Sequence, residues 1–174
     1  MIVKKVCMLG GYAVGKTSLV KRFVHGIFSE RYLTTIGVKI EKKNVQLEDN
    51  ELSLVIWDLA GENGFEKVRL SYLRGASGYL LVADGTRAAS VQTAIGVQEK
   101  AQKTLGDVPF LLLMNKCDLR EQWTVTDAEI QELRDRGWRV LLTSAKDNVA
   151  VEEAFDRLSL DMLSSAAPGA AASE

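Results

Sequence analysis

The sequence predicts an α/β fold: a mainly parallel six-stranded sheet with one antiparallel strand and helices on both faces. Short apolar segments alternate with longer segments whose apolar residues recur at helical spacing, which is typical of strands linked by crossover helices. Two successive strand-like segments are instead joined by the charged turn 48–51, which predicts a hairpin and supplies the antiparallel strand. With 174 residues, of which 47% are hydrophobic, the chain can bury one core. We therefore expect one domain over residues 1–163, followed by a flexible tail rich in Ala, Ser and Gly over 164–174.

Each predicted strand is a short apolar run, and each predicted helix has apolar residues at helical spacing. The strands are expected at 2–9, 38–47, 52–59, 78–84, 108–115 and 140–143. The helices are expected at 16–25, 90–105, 126–136 and 149–163, and residues 65–74 also have helical character. The polar stretch 26–37 shows no clear periodicity and is predicted to be a loop. Thr126 and Glu129 form a capping-box pattern, and a glycine follows each of the first three helices.

The overall composition argues against several classes of function. A formal net charge of -1 does not favour binding to nucleic acid or to an anionic membrane. No apolar segment approaches the length of a membrane span, and residues 1–6 do not resemble a secretion signal. Cys7 and Cys117 lack the spacing of metal ligands, and His25 lies at a helix end, so a metal site built on them is not expected. We expect a cytoplasmic monomer with reduced thiols.

Residues 10–17 are Gly-Gly-Tyr-Ala-Val-Gly-Lys-Thr, the Walker A pattern, between the first predicted strand and the first predicted helix. The glycines of such a loop let backbone N–H groups turn toward phosphate oxygens. Lys16 can place positive charge on the outer phosphates, and the Thr17 hydroxyl can ligate Mg²⁺. The pattern predicts the P-loop NTPase fold; the alternative is an ordinary glycine turn between strand and helix. The candidate phosphate-binding residues are Gly10, Gly11, Tyr12, Ala13, Val14, Gly15, Lys16, Thr17 and Ser18.

Two later loops favour guanine as the base of the bound nucleotide. Each follows a predicted strand, so both are expected at the carboxyl edge of the sheet, beside the P-loop. The Asp118 carboxylate can accept hydrogen bonds from guanine N1–H and the 2-amino group, whereas adenine presents an acceptor at N1. A backbone N–H of the second loop can donate to guanine O6. The candidate guanine-binding residues are Asn115, Lys116, Asp118, Ser144, Ala145 and Lys146. Alone, the Asn-Lys-x-Asp sequence could equally be a solvated turn.

Together these motifs resemble those of the small GTPases of the Ras superfamily, and most of all those of its Rab branch. The resemblance covers residues 3–158 and includes Tyr-Leu-Arg-Gly-Ala at 72–76, which is similar to a Rab pattern. It implies a Mg²⁺-dependent protein that binds GTP and GDP and hydrolyses GTP. It also implies that effector, exchange and activating proteins contact two segments, called switch I and switch II.

The same resemblance assigns roles to residues outside the P-loop. Phe28 would contact guanine by its ring edge, and Thr35 of switch I would meet Mg²⁺ and the γ-phosphate. Asp58 would hold Mg²⁺ through a water, and the Gly61 amide of switch II would contact the γ-phosphate. Singly, Phe28 could be a loop anchor, Thr35 a hydroxyl at a strand start and Asp58 a cap at a strand end. The implied metal site is then Thr17, Thr35 and Asp58, and the candidate catalytic residues are Lys16, Thr35, Gly61 and Glu62.

Some positions depart from the family pattern, and two of them bear on hydrolysis. Glu62 stands where switch II usually carries a water-positioning Gln, so it could act as a general base or could slow hydrolysis by charge repulsion. Tyr12 replaces a small P-loop residue. Its side chain could obstruct an arginine finger from a partner, bring its hydroxyl to the phosphate, or pack on switch II. Lys39 replaces an acidic residue, which changes any inherited effector preference, and Leu59 replaces a Thr in what we interpret as a packing change.

Two functional hypotheses follow. The first is a GTP-hydrolysing switch, in which GTP and Mg²⁺ order the two switch segments and hydrolysis releases them. The second is a GTP-binding interaction module with negligible intrinsic hydrolysis, which Glu62 and Tyr12 favour. An adenine-nucleotide enzyme is disfavoured by Asp118. No cysteine lies near Glu174, so we expect no prenyl membrane anchor in this chain.

Overall fold

The computed structural model describes residues 1–28, 38–59 and 70–172, with 166–172 described as backbone only. The strands are β1 (Ile2–Gly10), β2 (Val38–Leu47), β3 (Asn50–Leu59), β4 (Gly78–Asp84), β5 (Phe110–Asn115) and β6 (Val140–Leu142). The helices are α1 (Lys16–His25), α2 (Ala89–Leu105), α3 (Asp127–Asp135) and α4 (Val151–Ala172), with 3₁₀ turns at Leu70–Leu73 and Cys117–Gln122. In the described part of the chain, no helix combines the length and the apolar composition that a membrane crossing requires.

One six-stranded sheet carries the fold, in the order β2-β3-β1-β4-β5-β6. Neighbouring strands are parallel except β2 and β3, which form the predicted antiparallel hairpin. The carboxyl ends of β1, β3, β4 and β5 therefore lie along one edge. At that edge Met8 pairs with Asp58, and Asp84 pairs with Asn115. The predicted fold class is confirmed.

The core consists of two apolar clusters, one on each face of the sheet. One cluster includes side chains of α1 and α4, where the rings of Phe23 and Phe155 stack with their centroids 3.9 Å apart. The other includes side chains of α2 and α3. Strand β1 supplies both clusters, since Val6 and Met8 belong to the first and Cys7 and Leu9 to the second. A segment covered on both faces must be apolar on both, which is why residues 6–9 form a continuous apolar run after Lys4 and Lys5.

Several predicted boundaries move by one or two residues, for local reasons. Strand β3 begins at Asn50 because Leu47 pairs with Asn50, leaving a two-residue turn in which Glu48 adopts a φ of 50°. Helix α3 begins one residue after Thr126, and the predicted capping box with Glu129 is confirmed. Of the helical segment predicted at 65–74, the described residues show a 3₁₀ turn at Leu70–Leu73.

The largest difference is at the end of the chain. We predicted that the last helix ends at residue 163 and that 164–174 form a flexible tail, but α4 continues to Ala172. Five of the nine added residues are alanines, which have the highest helix propensity, and extending an established helix costs less than starting a new one, although Pro168 and Gly169 oppose the extension. The helix end predicted at residue 163 is therefore wrong, and the flexibility of the tail and the domain boundary stay predictions.

Candidate functional site

The predicted P-loop lies between β1 and α1, at the carboxyl edge of the sheet. Its path requires glycine at two points. Gly10 has a φ of 144°, and a Cβ there would lie 2.4 Å from the carbonyl oxygen of Val82. Gly15 has a φ of 106°, and its Cβ would lie 2.1 Å from Asn115 Nδ2. The loop therefore packs against β4 and β5 more closely than a side chain at either glycine permits.

Side chains hold the carbonyl groups of the loop. Lys16 Nζ donates to the carbonyls of Gly10 and Gly11 over 3.1 and 2.6 Å. The ammonium therefore lies above its own loop, where a bound anion would meet it. Only 6% of Lys16 is exposed.

The next three carbonyls accept hydrogen bonds from side chains that lie at the end of β5 or just after β4 and β5. Tyr12 O accepts from Arg87 Nη2 over 2.7 Å, Ala13 O from Lys116 Nζ over 3.2 Å, and Val14 O from Asn115 Nδ2 over 3.0 Å. These peptides are trans, so each N–H points away from its carbonyl. The N–H groups of Ala13, Val14 and Gly15 consequently face away from the three side chains. Together with the amino end of α1, they form a set of donors suited to a phosphate group.

The charge of Lys16 is sensitive to its surroundings. Burial lowers the pKa of its ammonium to about 8, the nearby Asp58 carboxylate opposes that shift, and the Arg87 guanidinium adds to it. A bound polyphosphate would favour the charged form, because opposite charges at short range favour ionisation. Lys16 is therefore a cation whose protonation is coupled to anion binding.

The structure brings the two described residues of the predicted metal site together. The Thr17 hydroxyl donates to Asp58 Oδ2 over 2.7 Å, and Asp58 is 1% exposed at the end of β3. In the described residues, no cluster of three or more His, Cys, Asp and Glu could hold a metal on its own. A hydroxyl and one carboxylate are hard oxygen donors of the type that suits Mg²⁺, which usually keeps water and takes phosphate oxygens as its remaining ligands. The donor set therefore fits that ion beside a nucleotide.

The two predicted guanine loops lie side by side. Ser144 Oγ donates to Asp118 Oδ1 over 2.7 Å and accepts from the Asp147 amide over 2.9 Å. Beneath them, Thr143 Oγ1 donates to Asn115 Oδ1 over 3.1 Å. Asn115 thus joins three loops, since its amide nitrogen bonds the P-loop. Asp118 is held by a neutral hydroxyl at one oxygen, which suits a carboxylate that accepts from a base.

Arg22 of α1 donates hydrogen bonds to two carbonyls of the second predicted guanine loop. Its Nε donates to the carbonyl of Ala145 over 2.8 Å, and its Nη2 to the carbonyl of Lys146 over 2.9 Å. The N–H groups of the following residues then point away from Arg22. Phe28 is partly buried against the apolar cluster of α1 and α4, to which Ala145 also belongs.

Three predicted site residues, Thr35, Gly61 and Glu62, lie outside the described residues. Tyr12 is 40% exposed at the outer side of the loop. The alternatives stated for its side chain all involve switch II, a partner or a nucleotide, and so they stay predictions. Ser18 follows Thr17 in the first turn of α1 and is partly buried.

Sequence reasoning missed four residues that shape the site: Arg22, Asp84, Arg87 and Thr143. Asp84 ends β4, is 1% exposed, and accepts at Oδ2 from Lys116 Nζ over 2.9 Å and from Arg87 Nε over 3.2 Å. Burial opposes its ionisation, but hydrogen bonds from Thr86 and Lys116 outweigh this and hold the pKa of Asp84 below its ordinary value. An acidic residue closing an otherwise apolar strand was a signal that could have identified it.

Comparisons with known proteins identify the same family as the motifs. The family model described as "Ras family" matches residues 5–164. The Ras-related protein Rab-13 of Mesocricetus auratus is 35% identical over 161 residues, covering 91% of this chain and 79% of the relative. Rab-10 of Diplobatis ommata is 35% identical over 164 residues (91% and 80%), and Rab-8B of Dictyostelium discoideum is 36% identical over 160 residues (91% and 79%).

Proposed function

The chain belongs to the Ras family of small GTP-binding proteins, and we propose that it is a Mg²⁺-dependent GTPase switch that alternates between GTP and GDP states to control partner binding. The observation that carries the proposal is the meeting of three loops at one sheet edge. Asn115 bonds the P-loop through its amide nitrogen and Thr143 through its oxygen, so phosphate donors and the Asp118 carboxylate are held in one unit.

Nucleotide binding divides between the two ends of this unit. The N–H groups of the P-loop and the Lys16 ammonium would hold the phosphates, and Asp118 would accept from guanine N1–H and the 2-amino group. Adenine cannot supply that pair of donors, so its binding would leave the carboxylate unsatisfied. Phe28 would lie against the base. This arrangement supports guanine over adenine nucleotides.

Thr17 and Asp58 would hold Mg²⁺, with Thr35 completing the metal site on the switch I side. When bound, the ion neutralises charge on the phosphates. The Thr17–Asp58 hydrogen bond supports this assignment because it holds a hydroxyl of α1 and a carboxylate of β3 2.7 Å apart, across 41 residues of sequence. Effector, exchange and activating proteins would contact switch I and switch II.

In hydrolysis, Lys16 would stabilise charge on the phosphates and the Gly61 amide would contact the γ-phosphate. Glu62 would occupy the water-positioning place, where it either accepts a proton from the attacking water or repels the phosphates. The second candidate function, a GTP-binding module with negligible hydrolysis, is favoured by Tyr12, whose ring is partly exposed at the loop that an arginine finger would approach.

The test is single-turnover hydrolysis of GTP by the purified chain loaded with Mg²⁺, beside the Lys16→Ala variant. We expect conversion of bound GTP to GDP that is lost in the variant, and an excess of ATP that fails to displace the nucleotide. Bound GTP that persists for hours would favour the interaction module, and failure to retain either guanine nucleotide would overturn both functions. Glu62→Gln then separates the two roles of Glu62, since loss of a base slows hydrolysis and loss of repulsion accelerates it.

A further inference from the structure

Arg87 stands outside every motif that predicted the site, yet its guanidinium reaches the P-loop. It follows β4 in the loop before α2, 75 residues from the tyrosine whose carbonyl it contacts. Its side chain is 47% exposed, so it is not part of the core. The contact therefore links the exposed loop between β4 and α2 to the P-loop.

A buried carboxylate fixes the position of this guanidinium. Arg87 Nε donates to Asp84 Oδ2 over 3.2 Å while Nη2 donates to the Tyr12 carbonyl over 2.7 Å. Asp84 is fixed in turn, because its Oδ1 accepts from the Thr86 amide over 2.9 Å and the Thr86 hydroxyl over 2.7 Å. The fork of the guanidinium thus connects a rigid strand end to one peptide of the loop.

The Asp84 carboxylate also binds Lys116, which contacts the next carbonyl of the loop. Lys116 Nζ bonds Asp84 Oδ2 over 2.9 Å and the Ala13 carbonyl over 3.2 Å. Two consecutive carbonyls of the loop are therefore bound to two cations that share one acid. Since the Tyr12 carbonyl and the Ala13 N–H belong to one planar trans peptide, fixing the carbonyl fixes the opposite direction of the N–H.

We propose that Arg87 is a positioning residue for phosphate binding: by holding the Tyr12 carbonyl, it orients the Ala13 N–H toward the phosphates of the bound nucleotide. The inference rests on the proposed function, because it concerns the same nucleotide. From position 87 the arginine uses two different N–H groups, Nε toward Asp84 and Nη2 toward the Tyr12 carbonyl, whereas Lys116 meets its two acceptors with one ammonium. A lysine ammonium carries the charge but lacks the planar fork.

The experiment compares Arg87→Ala with the wild-type chain, both loaded with Mg²⁺ and GDP. We expect GDP release to accelerate about fivefold to thirtyfold, as for loss of one charge-assisted hydrogen bond that shapes a binding loop. We also expect the ³¹P resonances of bound GDP to shift, and thermal unfolding of the nucleotide-free protein to change little, because Arg87 is half-exposed. Arg136→Ala is the matched control: this exposed arginine precedes β6, at the opposite edge of the sheet.

This experiment distinguishes failure of the Arg87 inference from failure of the proposed function. If the wild-type chain retained no GDP, the proposed function and this inference would both be overturned. If it bound GDP and Arg87→Ala released it at the wild-type rate, only the inference would be overturned. Faster release with unmoved ³¹P resonances and a lowered unfolding temperature would indicate a merely structural role and would also overturn it. Arg87→Lys should not restore the wild-type rate; full restoration would show that charge alone acts, contrary to the proposal.

Discussion

The hydroxyl of Ser144 donates a hydrogen bond to the Asp118 carboxylate over 2.7 Å, across 26 residues of sequence. This bond joins the loop after β5 to the loop after β6 and restrains one oxygen of the carboxylate. The contribution of this bond to recognition of the base can be measured separately from phosphate binding.

Replacing Ser144 with alanine should reduce the ability of Asp118 to recognise the 2-amino group of guanine. We expect GDP affinity to fall about tenfold, the range for loss of a hydrogen bond to a charged group. Affinity for inosine diphosphate, which lacks the 2-amino group, should fall less. Competition binding of the two nucleotides measures the ratio. Ser159→Ala, another fully buried serine whose hydroxyl bonds within α4, is the control. An unchanged ratio of GDP to inosine diphosphate affinity would contradict the prediction.

Asp58→Asn should weaken Mg²⁺ binding while leaving the base site intact. The variant loses the negative charge that Thr17 contacts, and loss of such a partner typically costs about tenfold to a hundredfold in metal affinity. Titration of Mg²⁺ against the rate of GDP release measures this. Asp49→Asn, in the exposed β2–β3 turn, should behave as wild type. Identical Mg²⁺ dependence in Asp58→Asn and wild type would remove Asp58 from the metal site.

The pH dependence of stability should report the burial of Lys16. Its pKa falls from 10.5 to about 8 in the folded protein, so between these values the unfolded chain binds more protons than the folded one. The free energy of unfolding of the nucleotide-free protein therefore rises with pH between about 8 and 10.5, because Lys16 loses its charge more readily in the folded state. Below pH 8 the folded protein bears the full cost of burying the Lys16 charge. Lys16→Met removes the cost. We expect the variant to be the more stable at pH 7 and the difference to shrink toward pH 10. Parallel unfolding curves across this range would falsify the prediction.

Gly10→Ala should destabilise the protein more than Gly26→Ala does. Both glycines have positive φ, but a Cβ at Gly10 meets the Val82 carbonyl at 2.4 Å, whereas no atom of the described residues lies within 4 Å of one at Gly26. Backbone strain adds to the difference, because a φ of 69° at Gly26 is a left-handed conformation that alanine can adopt, whereas a φ of 144° at Gly10 is essentially restricted to glycine. We expect Gly10→Ala to lose about 1–3 kcal/mol more free energy of unfolding, as for overpacking in a core. Urea unfolding measures both variants, and equal losses would show that β4 yields to the added methyl group.

Some elements of the fold are encoded by residues that are close together in the sequence. The apolar runs of β1 and β4 and the capping box at Thr126 were predictable because each depends on neighbouring residues. The continuation of α4 to Ala172 was not predicted, since a composition of small residues was interpreted as a tail rather than as a helix-forming segment. The motif residues of the P-loop and of the two predicted guanine loops could be singled out because the ligand chemistry proposed for them requires a fixed spacing, and their roles stay predictions.

The sequence by itself determined the order of the elements and where the loop predicted to bind phosphate and the carboxylate predicted to select guanine lie in that order. Only the tertiary structure decided what holds these groups in place. Arg87 meets Tyr12 across 75 residues, and Arg22 meets Ala145 across 123. No local pattern records such pairs, because they arise when parallel strands align their carboxyl ends at one edge of the sheet. Lys16 holds the first two carbonyls of the loop locally, but the next three carbonyls are held, and the N–H groups of the following residues directed, by side chains that the fold brings to that edge.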